Sequence, residues 1–205
     1  MLFGTPTLRR ILVLLGHPDK ETFAGYLADR YEEAARESGH EVRRLNVGEL
    51  AFDPILHKGY KTIQALEPDL VKVQDDIKWA EHIVIVYPIW WCAMPALLKG
   101  MFDRLWLPSF AFRFNRGTFL GRLGLGTWQR LLSGRSARLI VTMNSLPLIT
   151  RFVVGDYTNE LRRGILWFVG ITPTAVTSIG PSEAMSMKKR LIWGARIRDM
   201  GKLGE

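Results

Sequence analysis

The hydrophobic residues of this chain fall into short runs that alternate with longer segments of helical spacing. Four runs are almost continuously apolar, which is typical of strands buried on both faces of a parallel sheet. A fifth run, Glu41–Asn46, alternates apolar and polar residues and predicts a shorter strand. The four apolar runs are Arg10–Leu15, Ile83–Tyr87, Ala137–Met143 and Ala175–Ile179.

Amphipathic segments lie between these strands and predict helices over about Thr22–Ser38, Asp69–Ala80, Pro95–Leu105, Tyr157–Phe168 and Ser182–Arg198. This alternation predicts an α/β fold, a doubly wound five-stranded parallel sheet with helices on both faces. We expect a single domain over residues 1–205, because this length suits one core. Residues 109–136, rich in glycine and arginine, interrupt the alternation and predict a lid or a dimer-facing excursion.

The stretch Ile83–Leu105 joins a strand, a loop and a helix. Pro88 is expected to stop the strand, and Pro95 to open the helix, where its missing N–H costs nothing. The intervening loop, Ile89–Ala93, contains two tryptophans and is unusually apolar for an exposed connection. It therefore places flat aromatic surface at the carboxyl end of a strand, the edge where open α/β sheets bind ligands.

Three loops follow the first, third and fourth predicted strands: His17–Phe23, Pro88–Cys92 and Thr142–Ser145. A sheet ordered 2-1-3-4-5, the flavodoxin-like arrangement, brings all three to one crevice. The first loop offers an imidazole, a hydroxyl and helix-start amides for a phosphate. The second offers apolar walls and amides for an isoalloxazine edge, and the third offers small polar groups.

Each loop alone also has an ordinary structural explanation. His17 can be a hydrogen-bonded histidine at a strand end, the tryptophans can be core residues, and Thr142–Ser145 can be a simple turn. The order and placement of the three loops, rather than any one of them, favour a shared flavin pocket.

The chain carries a formal net charge of +8, which favours nucleic acid, an anionic membrane or phosphorylated ligands as partners. The basic residues lack interleaved aromatics and a recognition-helix motif, which argues against nucleic acid. A lone cysteine, Cys92, excludes an internal disulfide and indicates a reducing compartment, so we expect a cytoplasmic protein. No run is long enough for a signal peptide or a membrane span, and the basic C-terminal helix is expected to be solvated.

Other motifs are poor candidates. The glycines of Gly124–Gln129 do not follow a strand and are not a dinucleotide fingerprint. His40, His57 and His82 lack metal-ligand spacing, so we expect no metal site. Asn144-Ser145 lacks the GxSxG pattern of α/β-hydrolases.

Four segments of the chain carry a resemblance to a known family: Ile11–Phe23, Val84–Trp106, Leu139–Ser145 and Gly164–Ile171. At these segments the chain resembles the NAD(P)H:quinone oxidoreductases, the DT-diaphorase-like flavoproteins of flavodoxin-like fold. The resemblance implies that three residues of the first loop bind the flavin phosphates, namely His17, Thr22 and Phe23. It implies that the second and third loops border the ring, with Pro88, Ile89, Trp90, Trp91 and Cys92 on one side and Thr142, Met143, Asn144 and Ser145 on the other. It further implies a homodimer in which nicotinamide and quinone alternate at an interfacial site.

The sequence also departs from this family's pattern. Ala24 stands where relatives often have asparagine, and Asn144-Ser145 replaces a glycine pair. The tyrosine and histidine that assist charge relay in the best-known members have no clear match. Arg151 and Tyr157 lie in that region and are our candidates for the catalytic residues, because either side chain can stabilise negative charge on reduced flavin or on a developing hydroquinone.

The resemblance implies a flavin-dependent NAD(P)H oxidoreductase that passes hydride to a quinone or similar electrophile. FMN and FAD remain equally compatible with the residues, as do NADH and NADPH, although scattered arginines favour the 2′-phosphate. A flavin-binding regulatory subunit or an electron carrier without independent turnover is the alternative from another class. Azo- or nitro-reduction would use the same site.

Overall fold

The computed structural model describes residues 7–115, 117, 119, 123 and 127–205. Three glycines of the predicted excursion, Gly121, Gly124 and Gly126, lie outside the described residues. With two of them, half of the Gly124–Gln129 motif falls outside the part of the chain that is described.

The main sheet has five parallel strands in the order β2-β1-β3-β6-β7. In chain order this is the predicted arrangement 2-1-3-4-5, and the doubly wound parallel sheet is confirmed. Two further short strands, β4 and β5, pair antiparallel with each other within the excursion. The strands are β1 Arg10–Leu15, β2 Glu41–Asn46, β3 His82–Pro88, β4 Phe112–Phe114, β5 Trp128–Arg130, β6 Ser136–Thr142 and β7 Thr174–Ile179.

Helices cover both faces of the main sheet. On one face α1 and α5 pack against side chains such as Ile11 and Val13. On the other face α2, α3 and a π-helical segment pack against side chains such as Leu12 and Leu14. Successive residues of β1 therefore serve opposite faces, as the period of a strand requires. The helices are α1 Phe23–Glu37, α2 Pro68–Trp79, α3 Ala96–Leu105, α4 Pro147–Val154 and α5 Met187–Leu203, and the π-helical segment is Glu160–Trp167.

Helix α5 approaches α1 closely through a glycine. A Cβ at Gly194 would lie 2.2 Å from the hydroxyl oxygen of Tyr26, so no larger residue fits there without displacing the tyrosine. The buried side chain of Ile197 continues the same contact face one turn later. This packing fixes the middle of α5 against the first turn of α1.

Three elements differ from what the sequence pattern indicates. Helix α4 is not expected from the sequence, because its eight residues are mostly apolar and too few to show a clear helical period. The segment after Tyr157 is π-helical over Glu160–Trp167 rather than a regular α-helix. Pro88 is the last paired residue of β3, opposite Thr142, so the ladder extends one residue further than expected.

No helix among the described residues combines the length and the apolar character that crossing a membrane requires. Within the same residues, no group of three or more histidine, cysteine, aspartate and glutamate side chains is placed to hold a metal ion.

Candidate functional site

The three predicted loops meet at the carboxyl edge of the sheet around a cavity of about 380 Å³. Nine of the residues expected to bind flavin line it: His17, Thr22, Phe23, Pro88, Ile89, Trp90, Thr142, Met143 and Asn144. Four residues that the sequence did not single out as ligands complete the lining: Ala24, Ser182, Glu183 and Arg190. Trp91, Cys92, Ser145, Arg151 and Tyr157 are not part of this wall.

The start of α1 presents unpaired backbone donors to the cavity. Thr22 is the N-cap, and its side-chain oxygen accepts a hydrogen bond from the amide of Gly25 at 3.2 Å. Among the described residues, the amides of Phe23 and Ala24 make no hydrogen bond to a backbone or side-chain acceptor. Together with the positive end of the helix dipole, these N–H groups form a site suited to an anion.

His17 adds a donor beside this helix start. Its Nδ1 accepts a hydrogen bond from the amide N–H of Asp19 at 2.9 Å. In the neutral ring the proton therefore lies on Nε2. The imidazole also packs edge-on against Trp90, with ring centroids 5.3 Å apart. This contact joins the first loop to the second and leaves the Nε2–H group as the donor that His17 can offer a ligand.

A fixed cation also faces this region. The guanidinium of Arg190, on α5, lies 5.0 Å from the ring centroid of Phe23. It donates to the carbonyl oxygens of Ser182 at 2.8 Å and Met185 at 3.3 Å, which holds it in place. Sequence reasoning missed Arg190 because it comes from the far end of the chain and belongs to a helix with many basic residues.

The nearby Lys20 is engaged elsewhere. Its ammonium group donates to Glu49 at 2.7 Å, and this hydrogen bond raises the pKa of Lys20 and lowers that of Glu49. Among the described residues that line the cavity, Arg190 is therefore the cation available to an anion at the start of α1.

The second loop is a tight hairpin closed by two backbone hydrogen bonds between Trp90 and Ala93, of 2.9 and 3.0 Å. Its two central residues, Trp91 and Cys92, have positive φ angles of 50° and 62°. This turn leaves Pro88, Ile89 and Trp90 on the cavity wall. Trp91, by contrast, is fully exposed at the tip of the hairpin.

The third loop is bonded to both neighbouring loops. The amide of Ile89 donates to the carbonyl of Thr142 at 2.7 Å, and the amide of Ser182 donates to the carbonyl of Met143 at 2.8 Å. Ser145 instead pairs its hydroxyl with that of Thr150, 2.5 Å away, in α4. The loop thus offers Met143 and Asn144 to the cavity, while Ser145 secures the helix that follows.

The two candidate catalytic side chains, Arg151 and Tyr157, are not part of the cavity lining. The hydroxyl of Tyr157 donates to the hydroxyl of Ser178 at 2.8 Å. Arg151 is exposed in the last turn of α4. Neither is within the set of side chains that would contact a ligand of this single chain.

An exposed apolar surface borders the cavity. We call it the α4 surface; it begins two residues after Asn144, and no residue of α4 is buried. Leu148 and Phe152 are 81% and 91% exposed. Apolar patches of this kind on a soluble protein usually mark a contact with another molecule. The α4 surface consists of Leu146, Leu148, Ile149, Phe152, Val153 and Val154.

Comparison with known proteins agrees with this architecture. An uncharacterized NAD(P)H oxidoreductase of Haemophilus influenzae is 33% identical over 185 residues, which cover 87% of each chain. NAD(P)H dehydrogenase [quinone] 1 of Rattus norvegicus is 27% identical, with 91% of this chain and 78% of the rat protein covered.

A solved structure extends the comparison to the fold. The FMN-dependent NADH-azoreductase of Bacillus anthracis, in complex with FMN, superposes with a TM-score of 0.70 at 15% identity, covering 94% of this chain and 97% of that one. The family model described as having the flavodoxin-like fold matches residues 9–196. The resemblance read from the sequence motifs is confirmed, and the chain belongs to this flavodoxin-like family.

Proposed function

We propose that the protein is a flavin-dependent NAD(P)H oxidoreductase that transfers hydride from reduced nicotinamide, through bound flavin, to a quinone or similar electrophile. The observation that carries the proposal is the cavity at the carboxyl edge of the sheet, whose lining combines anion donors with apolar walls. The names of the Haemophilus and rat relatives support the reaction class and the quinone acceptor.

The residues present fit a flavin. Its phosphate would take the amides of Phe23 and Ala24, the Nε2–H of His17 and the guanidinium of Arg190. Its ring would lie between the apolar walls formed by Ile89, Trp90 and Met143. The azoreductase structure supports this assignment, because a protein of the same fold holds FMN.

When bound, the flavin supplies the hydride-accepting and hydride-donating chemistry. The chain's own residues bind and orient it: the start of α1 neutralises the phosphate, and the hairpin Trp90–Ala93 places an aromatic wall along one edge. Because this wall is apolar, water is displaced from the ring where substrates stack, which favours direct hydride transfer over loss to solvent. The two substrates would use the remaining open face in turn.

We include a homodimer in the proposal. A second copy seated on the α4 surface would bury side chains such as Leu148 and Phe152 that water now contacts. Because α4 follows Asn144 closely in the chain, this copy would also border the cavity and restrict it to flat substrates. We place the protein in the cytoplasm, where NAD(P)H is available and the single thiol, Cys92, stays reduced.

The function is tested with purified protein. Denaturation should release FMN or FAD, identified by mass, and the intact protein should oxidise NADPH or NADH when menadione is supplied. Flavin release without turnover would favour a binding or electron-carrier role, and absence of any flavin affinity would overturn the proposal.

The flavin site itself is tested with a matched pair of substitutions on α5. Arg190→Gln removes the cation beside Phe23, and we expect flavin affinity to fall by about 10- to 100-fold, because charge-assisted hydrogen bonds are lost. Arg196→Gln is the control, since Arg196 also lies over an aromatic ring, that of Trp193, but does not line the cavity. Equal affinities for both variants would contradict the assignment.

The proposed dimer is tested by placing a charged side chain in the α4 surface. Phe152→Glu should convert the dimer into monomers in light-scattering measurements, because a carboxylate would be buried without a partner in the interface. Val71→Glu, at an exposed apolar position on α2, is the control and should leave the mass unchanged. A monomeric wild-type protein would contradict the dimer while leaving the flavin site intact.

A further inference from the structure

Asn144 and Ser182 form a hydrogen-bonded pair on the cavity wall. The hydroxyl of Ser182 donates to the side-chain oxygen Oδ1 of Asn144 at 2.7 Å, and both residues line the cavity. An asparagine side chain has one oxygen acceptor and one NH₂ group with two donors. Because Ser182 engages the oxygen, the NH₂ group is what Asn144 has to offer a ligand.

We propose that the side-chain amide of Asn144 donates a hydrogen bond to the pyrimidine ring of the bound flavin, and that Ser182 is the positioning residue that orients this amide. This inference rests on the proposed flavin-dependent function. It assigns a role to a side chain at a position where the sequence departs from the glycine pair of the family it resembles.

The backbone holds the pair in register. The amide of Ser182 donates to the carbonyl of Met143 at 2.8 Å, and the amide of Met143 donates to the carbonyl of Ile179 at 3.0 Å. A Cβ at Gly180 would lie 2.2 Å from the carbonyl oxygen of Ser145, so the two loops are in direct backbone contact. Arg190 further fixes Ser182 by donating to its carbonyl at 2.8 Å.

The surroundings indicate which end of the flavin ring faces Asn144. Only the pyrimidine end of the ring carries polar nitrogen and carbonyl oxygen atoms, whereas the opposite end carries methyl groups. Ile89 and Trp90 give one part of the lining an apolar surface, whereas Asn144 and Ser182 give the part beside it polar groups that suit the pyrimidine end. An amide donor is thus placed where the ring has acceptors.

The hydrogen bond from Asn144 should be stronger to reduced flavin than to oxidised flavin. Hydride transfer from NAD(P)H carries two electrons and one proton to the flavin, releases NAD(P)⁺, and leaves negative charge on the pyrimidine ring. A hydrogen bond to a charged acceptor is stronger than a hydrogen bond to a neutral acceptor. Asn144 would therefore bind reduced flavin more tightly than oxidised flavin and raise the reduction potential.

The test measures the two-electron midpoint potential of the flavin-loaded protein against reference dyes. Asn144→Gly should weaken binding of reduced relative to oxidised flavin by about tenfold, which lowers the potential by about 30 mV. Asn144→Asp, which places a negative charge at the same position, should give about a hundredfold change, or about 60 mV. Flavin affinity in the oxidised state should change less in both variants.

Ser182 is tested with a conservative partner. Ser182→Ala should lower the potential, because the freed amide can rotate and present its oxygen, while Ser182→Thr keeps the hydroxyl and should restore the wild-type value. Ser133→Ala is the control, since that hydroxyl donates to the carbonyl of Arg130 at 2.9 Å, away from the cavity. Far-UV circular dichroism verifies that each variant is folded.

The outcomes separate this inference from the proposed function. If the wild-type protein binds and reduces flavin but Asn144→Gly leaves the potential unchanged, the role of Asn144 is wrong and the oxidoreductase function stands. If Asn144→Gly shifts the potential and Ser182→Ala does not, Ser182 has no positioning role. If the wild-type protein binds no flavin, the proposed function fails first and this inference fails with it.

Discussion

The two edges of the central sheet carry similar residues in very different environments. At the carboxyl edge, His17 lies on a cavity wall with one ring nitrogen bonded to Asp19. At the amino edge, His82 is only 3% exposed, and its Nδ1 is paired with the hydroxyl of Ser136 at 2.7 Å. The same imidazole is thus placed to meet a ligand at one edge and enclosed by the protein at the other.

The neighbours of His82 show how the amino edge is closed. The amide of Arg9 donates to Nδ1 of His40 at 3.2 Å, and Nε2 of His40 is bonded to the carbonyl of Lys202 at 3.2 Å. The guanidinium of Arg9 donates to the carbonyl of Gly204 at 3.0 Å. These polar groups satisfy one another within the chain.

The direction of the strands explains the difference. In a parallel sheet the helices begin after the carboxyl ends of the strands, so free amides and positive dipole ends collect at that edge. At the amino edge the helices end, and their last carbonyl groups accept hydrogen bonds from arginine and histidine side chains. A polar residue at a strand end therefore predicts a ligand site only when the edge is known.

The largest expected effect concerns pH at the closed edge. Burial, reinforced by the charges of Arg9 and Arg138, lowers the pKa of His82 from 6.5 to about 3. The unfolded chain takes up a proton at His82 below pH 6.5 and the folded chain does not, so stability falls as the pH is lowered. Between pH 6.5 and 5 the free energy of unfolding, measured with urea, should fall by up to about 2 kcal/mol. One proton can change this free energy by at most about 1.4 kcal/mol per pH unit.

His82→Gln should remove most of this slope, although it should lower stability at pH 7. His57→Gln, on an exposed loop histidine, is the matched control and should keep the slope. An undiminished slope in His82→Gln would contradict the assignment of the pH dependence to the closed edge.

The next effect concerns the open edge. His17→Ala should weaken flavin binding by about tenfold in fluorescence titrations, because a donor beside the phosphate is lost. It should leave the pH dependence of unfolding unchanged, while His82→Gln should leave flavin affinity unchanged. If His17→Ala changed the pH dependence of unfolding, or His82→Gln changed flavin affinity, the contrast between the two edges would be wrong.

The smallest effect separates helix capping from ligand binding. Thr22→Ala and Ser186→Ala each remove an N-cap, of α1 and α5, and each should cost about 1 kcal/mol of stability. Only Thr22 lines the cavity, so only its substitution should also weaken flavin binding, by about fivefold. Thermal unfolding and fluorescence titration measure the two quantities, and equal flavin affinities would argue against a ligand contact at Thr22.

Much of the sheet and of the open edge was predictable from the sequence, because the signals are local. The apolar runs of β1, β3 and β6 mark buried strands, and the residues that follow them must share an edge. His17, Trp90 and Asn144 were placed on the cavity in this way.

The remaining features depend on contacts that no local pattern carries. Arg190 and Ser182 reach the cavity only because α5 packs on α1 and because β7 pairs with β6. The enclosure of His82 likewise depends on Ser136, more than fifty residues along the chain. The placement of Trp91 outside the cavity results from a turn whose residues are not those that usually form it.

That turn has a consequence for the stability of the protein. Two-residue hairpins with positive φ at both central positions favour Asn-Gly, yet here Trp91 and Cys92 adopt φ angles of 50° and 62°. A residue with a Cβ costs on the order of 1 kcal/mol in this conformation, and glycine adopts it without that strain. Because the indole of Trp91 is fully exposed, Trp91→Gly removes little packing and should raise the free energy of unfolding by up to about 1 kcal/mol.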